Sequence, residues 1–191
     1  MNMTRRDLLQ NVAILLGGSI VGGSVFSISG CKSTDKQVNA LFTDKQVALM
    51  NEIADTILPE TTSPGAKAAK VGDFMAVMVL DCYTEPQQKV FMDGLKKIDE
   101  LSEKKYSKSF VEADAKQRTE LLTELDKEQK EYQDKKGNDD PSHYFRMMKE
   151  TTLLGYFTSK EGATQALRYI AVPGKYDGNV PYKKGDKAWA T

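Results

Sequence analysis

Apolar residues recur along this chain at helical spacing. Val47, Met50, Ile53, Ala54 and Ile57 form one apolar face, preceded by Thr43 as an N-cap and by Gln46, which completes a capping box. Pro59 ends the stretch, because the residue before a proline avoids the helical region. The turn Ser63-Pro64-Gly65-Ala66 follows. Residues 72–82 are apolar almost all round, the pattern of a helix at the centre of a bundle. Thr84 and Gln87 frame a second capping box, with Pro86 in the first turn where proline is tolerated. Val90, Phe91, Leu95, Ile98 and Leu101 mark the buried stripe of that third helix. A fourth runs from about 114 to 132, with Leu121, Leu122 and Leu125 inward and Glu and Lys outward. The charged loop 134–140 leads to a helix capped by Asp140 with Pro141 at its first position, carrying Phe145, Met148, Thr152 and Tyr156. Thr158 and Glu161 box a last helix that ends near Ile170. No stretch alternates apolar and polar residues with the β-branched enrichment of a strand. The expected fold is all-α, an irregular bundle of five to seven helices without internal repeats.

Both ends depart from this pattern. Thr4-Arg5-Arg6-Asp7-Leu8-Leu9 is a paired-arginine head, followed by an apolar run over residues 12–28 and then Ile28-Ser29-Gly30-Cys31. A basic head, an apolar middle and a small-residue end describe an export signal. The run is diluted by Gly17, Gly18, Gly22, Gly23 and serines, whereas a membrane span needs ~20 strongly apolar residues. Arg5 and Arg6 point to the twin-arginine route for folded cargo, with Leu8 where that motif usually has Phe and Gln10 where it often has Lys. The competing reading is an ordinary secretory signal. Ile28-Ser29-Gly30-Cys31 resembles a bacterial lipoprotein cleavage box, with Ile in the place usually held by Leu. Cys31 would then be the lipidated first residue, and several acyl chains at ~0.8 kcal/mol per buried methylene would anchor the domain. The other reading of Cys31 is an incidental residue in a soluble secreted protein. The expected division is a signal over 1–30, a tether over 31–40 and one helical domain over 41–191, on the periplasmic side of a membrane.

Residues 171–191 hold Pro173, Gly174, Gly178, Pro181 and Gly185, with Tyr176, Tyr182 and Trp189 among them. With too few aliphatic residues for a core, this tail is expected to lie along a surface. Eight of the sixteen aromatic residues fall between Tyr144 and Trp189, which suits either a partner's docking site or packing on the chain's own domain.

Composition narrows the chemistry. Without residues 1–30, the chain has 161 residues, with 25 basic and 26 acidic side chains. That length supports one core without disulfides, and the balance offers nothing to nucleic acid. With Cys31 acylated, Cys82 is left alone, and its place after Val77-Met78-Val79-Leu80 predicts burial.

There is no Gly-x-Gly-x-x-Gly, P-loop or Cys-x-x-Cys, and the single histidine, His143, excludes a multi-histidine metal site. His143 reads as a half-buried packing residue. Asp134, Asn138, Asp139 and Asp140 miss the EF-hand spacing and read as capping and solvated charge. No constellation for catalysis, cofactor binding or metal binding emerges. The chain is expected not to be an enzyme by itself.

Three stretches together resemble the gluconate 2-dehydrogenase subunit 3 family. They are Ile53-Ala54-Asp55-Thr56-Ile57-Leu58-Pro59 with Ser63-Pro64-Gly65-Ala66, Leu154-Gly155-Tyr156-Phe157-Thr158-Ser159 with Glu161-Gly162, and residues 169–182 with Val172-Pro173-Gly174 and Tyr176-Asp177-Gly178. The resemblance implies a cofactor-free small subunit of an FAD-dependent sugar or sugar-acid dehydrogenase of the glucose-methanol-choline type. It also implies haem in a cytochrome c subunit that takes the electrons, and export of the flavoprotein on the small subunit's signal. On that reading Tyr156, Phe157, Pro173, Tyr176, Tyr182 and Trp189 contribute to the partner interface. Two other readings stand beside it: a free-standing lipid-anchored scaffold protein, and a thiol enzyme using Cys82.

Overall fold

Asn51 and Gly72 join the first two helices, and the second takes its cap from the first. In the computed structural model, which describes residues 41–138, 140–172, 174–175 and 178–190, helix α1 spans Asp44–Ile57 and α2 spans Val71–Cys82. The arginine head, the Cys31 box and the tether lie outside the described residues. Thr43 and Gln46 cap α1 reciprocally: the Thr43 N–H donates to Gln46 Oε1 at 2.9 Å, and the Gln46 N–H donates to Thr43 Oγ1 at 3.4 Å. The residue before α2, Lys70, is left-handed (φ 52°) and offers no side-chain cap. Asn51 of α1 supplies it instead, its Oδ1 accepting the Gly72 N–H at 2.9 Å while its Nδ2 donates to Asp73 at 3.2 Å. At the other end of α2, the Gln88 amide donates to the carbonyls of Val79, Leu80 and Tyr83 at 3.0–3.2 Å, satisfying acceptors the helix cannot.

Helix α3 spans Glu85–Tyr106 and α4 spans Ala115–Lys135. The start of α3 follows the expected chemistry, a capping box at Thr84 and Gln87, and α4 opens on a further box at Asp114 and Gln117. Helix α5 spans Tyr144–Thr158 and packs against all four others. Phe42, Met50, Ile53, Met75, Phe91, Leu95, Ile98, Phe145 and Met148 form one core between them, each with at most 2% of its surface exposed. Among the described residues there is no strand, only one isolated bridge. The architecture is an all-α irregular bundle.

Four local expectations are corrected. The first concerns α2, which does not sit at the centre. Val71, Gly72, Met75, Ala76 and Val79 are buried, but Phe74, Val77, Met78 and Leu80 are half-exposed. The centre is α5, where Thr151 and Thr152 are buried and each donates its hydroxyl to the carbonyl four residues back. Such back-bonding lets a polar residue occupy a core position.

The second is the start of α5. Asp140 does not cap it, because its carboxylate accepts the Gly137 N–H at 2.8 Å within the loop. The Pro141 carbonyl accepts the Tyr132 hydroxyl at 3.0 Å, outside any helix. His143 is the N-cap, its Nδ1 accepting the Phe145 N–H at 3.2 Å.

Third, Thr158 does not open a new helix, because its hydroxyl donates to Leu154 within α5. Ser159 makes the turn, donating to the Tyr156 carbonyl at 2.7 Å and accepting the Gly162 N–H at 3.0 Å. A π-helical turn follows over Gly162–Ala166 and the chain leaves it at Leu167, before the expected end. Glycine is obligatory there, because a Cβ on Gly162 would lie 1.9 Å from the Tyr156 carbonyl oxygen.

The fourth is Cys82, which is exposed rather than buried. It ends α2, and the next inward position is taken by Tyr83, whose ring packs edge-on to Phe91 at 6.3 Å and whose hydroxyl meets Thr151 at 3.1 Å.

Candidate partner interface

Helix α5 carries a second apolar stripe out of phase with the first. Phe145, Met148, Thr152 and Tyr156 face inward. Leu153, Leu154 and Phe157 lie on the opposite face, between 38% and 47% exposed. Covering the 38–47% of these side chains that is exposed stabilises an association by about 0.6–1.4 kcal/mol each in transfer terms, the matching share of the about 1.5–3 kcal/mol for full burial.

Beyond the π turn the chain doubles back on itself. The Arg168 N–H donates to the Ala188 carbonyl at 3.0 Å, and the Ala190 N–H donates to the Arg168 carbonyl at 2.9 Å. The Arg168 guanidinium stacks 4.1 Å from the centre of the Trp189 ring, and the Lys187 ammonium donates to the Gln165 carbonyl. The clip joins the two ends of the segment between Arg168 and Ala190. Tyr169, Ile170, Val172 and Tyr182 are exposed within it, Val172 at 83% and Tyr182 at 74%. Of the large apolar side chains exposed on the described surface, all but Val111 and Tyr132 fall between Leu153 and Trp189. Large apolar side chains left exposed along one stretch of chain make it the candidate for an association surface.

The residues expected at an interface separate accordingly. Phe157, Tyr182 and Trp189 are exposed; Pro173 and Tyr176 lie outside the described residues. Tyr156 is corrected: it is 4% exposed, and its hydroxyl donates to the Pro64 carbonyl at 2.6 Å, holding the 63–66 turn to the core. Leu153, Leu154, Tyr169, Ile170 and Val172 belong to the exposed set and were not singled out from the sequence. Leu153, Leu154 and Phe157 had a signal, being apolar positions that fall off the buried stripe of α5.

The single histidine is committed to the fold. His143 is 8% exposed and its Nδ1 is occupied as a cap. Burial lowers its pKa, and Glu128, 3.6 Å from Nε2, opposes that only in part. It lines a shallow groove of about 430 Å³ with Lys97, Glu128, Tyr132 and Tyr144. Lys97 and Glu128 pair with each other there at 3.2 Å. Among the described residues no hydrogen bond joins His143 to Cys82, and no group of three His, Cys, Asp or Glu could hold a metal ion. Two buried-edge carboxylates serve as ties between helices. Burial would raise Glu52, but Lys67 and Arg118 outweigh it and hold the carboxyl below its usual range. Burial would likewise raise Asp126, but Lys149 and Lys130, at 2.6 and 2.9 Å, bring it down to about 2.

A family model for gluconate 2-dehydrogenase subunit 3 matches residues 44–174, more than half of the chain. The chain belongs to the gluconate 2-dehydrogenase subunit 3 family. No curated protein and no solved structure matches it. Membership makes this subunit 3 chain kin to an accessory component and implies association with a gluconate dehydrogenase complex. The matched span takes in α1 to α5, the π turn and Arg168. It stops before Tyr182, Lys183, Lys184 and Trp189, so the match does not cover the returning half of the clip.

Proposed function

We propose that this subunit 3 chain is the non-catalytic small subunit of an exported FAD-dependent sugar or sugar-acid dehydrogenase. In this reading FAD resides in a larger subunit of the glucose-methanol-choline type, and haem in a cytochrome c subunit. The small subunit supplies the twin-arginine signal, the lipid anchor at Cys31 and a surface that steadies the flavoprotein on the periplasmic side.

The family match over residues 44–174 carries the proposal. The paired arginines and the Cys31 box support export and tethering. The outer face of α5 and the clipped tail support a partner, with Phe157, Tyr182 and Trp189 as anchors of the type that dominates interfaces.

Purification of the tagged full chain from detergent-solubilised membranes of its own host tests this. A yellow complex that oxidises a sugar or sugar acid with an artificial electron acceptor is expected. Deleting the gene should remove that activity from the periplasm. Full activity at the normal location in the deletion strain would refute the proposal.

A further inference from the structure

Residues 160–191 hold six basic side chains (Lys160, Arg168, Lys175, Lys183, Lys184, Lys187) against three acidic ones (Glu161, Asp177, Asp186). The whole chain is neutral, so this segment is offset by an acidic excess elsewhere. Lys67, Lys97, Lys105, Arg118 and Lys149 of the bundle pair with carboxylates of the helices, while Lys45, Lys104, Lys116 and Lys127 are exposed there without an ion pair among the described residues. Lys160, Lys175, Lys183 and Lys184 have no ion-pair partner among the described residues, and all are exposed. These cations therefore share one stretch of chain with most of the exposed apolar side chains. Tyr182 lies directly before Lys183 and Lys184, and the Arg168–Trp189 clip fixes both ends of the segment.

We infer that the clipped strap over residues 168–190, with Leu153, Leu154 and Phe157 beside it in the chain, docks onto an acidic, apolar-pocketed face of the dehydrogenase's catalytic subunit. The inference rests on the proposed accessory role and adds the chemistry of the partner's surface. Charge complementarity selects the occupant. Unpaired lysines among aromatic side chains call for carboxylates around apolar pockets, an arrangement that steers association and fixes orientation. A second copy paired strap to strap about a twofold axis fits poorly, because the strap would meet its own positive charge. An anionic lipid surface shares the electrostatics. However, the described residues of the strap include no helix that could lay an amphipathic face into the interface, which is how such segments usually bind lipid.

The test uses the full chain co-expressed with the flavoprotein dehydrogenase subunit of its own host. Capture is read from flavin absorbance at about 20 mM and about 500 mM salt, where screening lengths differ severalfold. Lys183→Glu with Lys184→Glu is compared with Lys116→Glu with Lys127→Glu, the same charge change on the outer face of α4. The strap variant is expected to weaken capture about tenfold or more at low salt and about threefold or less at high salt, with the α4 variant close to wild type. Equal loss in both variants, or none in either while wild type still captures flavin, overturns the inference and leaves the accessory role standing. No flavin captured by wild type at either salt instead removes the accessory role. Vesicles of anionic phosphatidylglycerol form a second arm. If the strap variant loses vesicle binding but keeps the flavoprotein, the strap faces lipid and the inference is wrong.

Discussion

The Asn51 side chain lies so close to Gly72 that a methyl group there would sit 2.6 Å from the Asn51 backbone nitrogen and side-chain carbon. Contact this close lets Asn51 cap a helix that begins without a cap of its own. Gly72→Ala should therefore destabilise the domain by about 1–3 kcal/mol, although alanine is the better helix former by about 1 kcal/mol. Asn51→Ala should cost about 1 kcal/mol through the lost cap. Thermal unfolding of both variants checks the order.

Tyr156 illustrates how burial reassigns an aromatic residue. Its hydroxyl bond to the Pro64 carbonyl is internal, so Tyr156→Phe should lower stability by about 1 kcal/mol. Once folded, the variant should bind the dehydrogenase as wild type does. Phe157→Ala should do the reverse, leaving the melting temperature nearly unchanged while weakening association by about 2 kcal/mol or more. Unfolding and capture measured on the same two proteins separate the roles.

Acid should act on Asp126 and Glu52. Both carboxyls are held below their unfolded values of 3.8 and 4.5. Their stabilisation is complete above those values and is lost as pH falls through the folded ones, near 2 for Asp126. Lys130 is 65% exposed, so solvent screening reduces its share. Asp126→Asn is expected to cost about 1–2 kcal/mol at neutral pH and to flatten the stability profile between about pH 4 and 2. Urea titrations across that range read both effects.

His143 titrates in the opposite sense. Burial depresses its folded pKa below 6.5, with Lys97 acting the same way and Glu128 opposing. The unfolded chain then takes the proton first, so stability declines as pH falls below about 6.5. Because asparagine is also a good N-cap, His143→Asn should keep α5 capped while removing this part of the decline. A profile unchanged by the substitution would count against the assignment.

The clip should matter locally. Arg168→Ala removes the stacked guanidinium from Trp189, an exposed cation–π contact worth about 0.5–1 kcal/mol. Limited proteolysis within residues 171–188 should accelerate, while the bundle's unfolding midpoint stays within error.

The local sequence determined the starts of α1, α3 and α4, because each capping box is written in four consecutive residues and its hydrogen bonds need no distant partner. It also determined the all-α class, since periodicity alone excludes strands. Tertiary structure decided what periodicity cannot carry. Residues 72–82 are the most apolar stretch yet lie to one side, and α5 is central with two buried threonines satisfied by their own helix. Asp140 and Thr158 look like caps but spend their polar groups on nearer partners, Gly137 and Leu154. Whether Tyr156 or Phe157 faces outward depends on which face of α5 meets its neighbours. Cys82 is exposed, and the neighbouring Tyr83 takes the inward position against Phe91 and Thr151. The pairing of Arg168 with Trp189, far apart in sequence, became visible only in the folded chain, because a contact across that separation depends on the path between its ends.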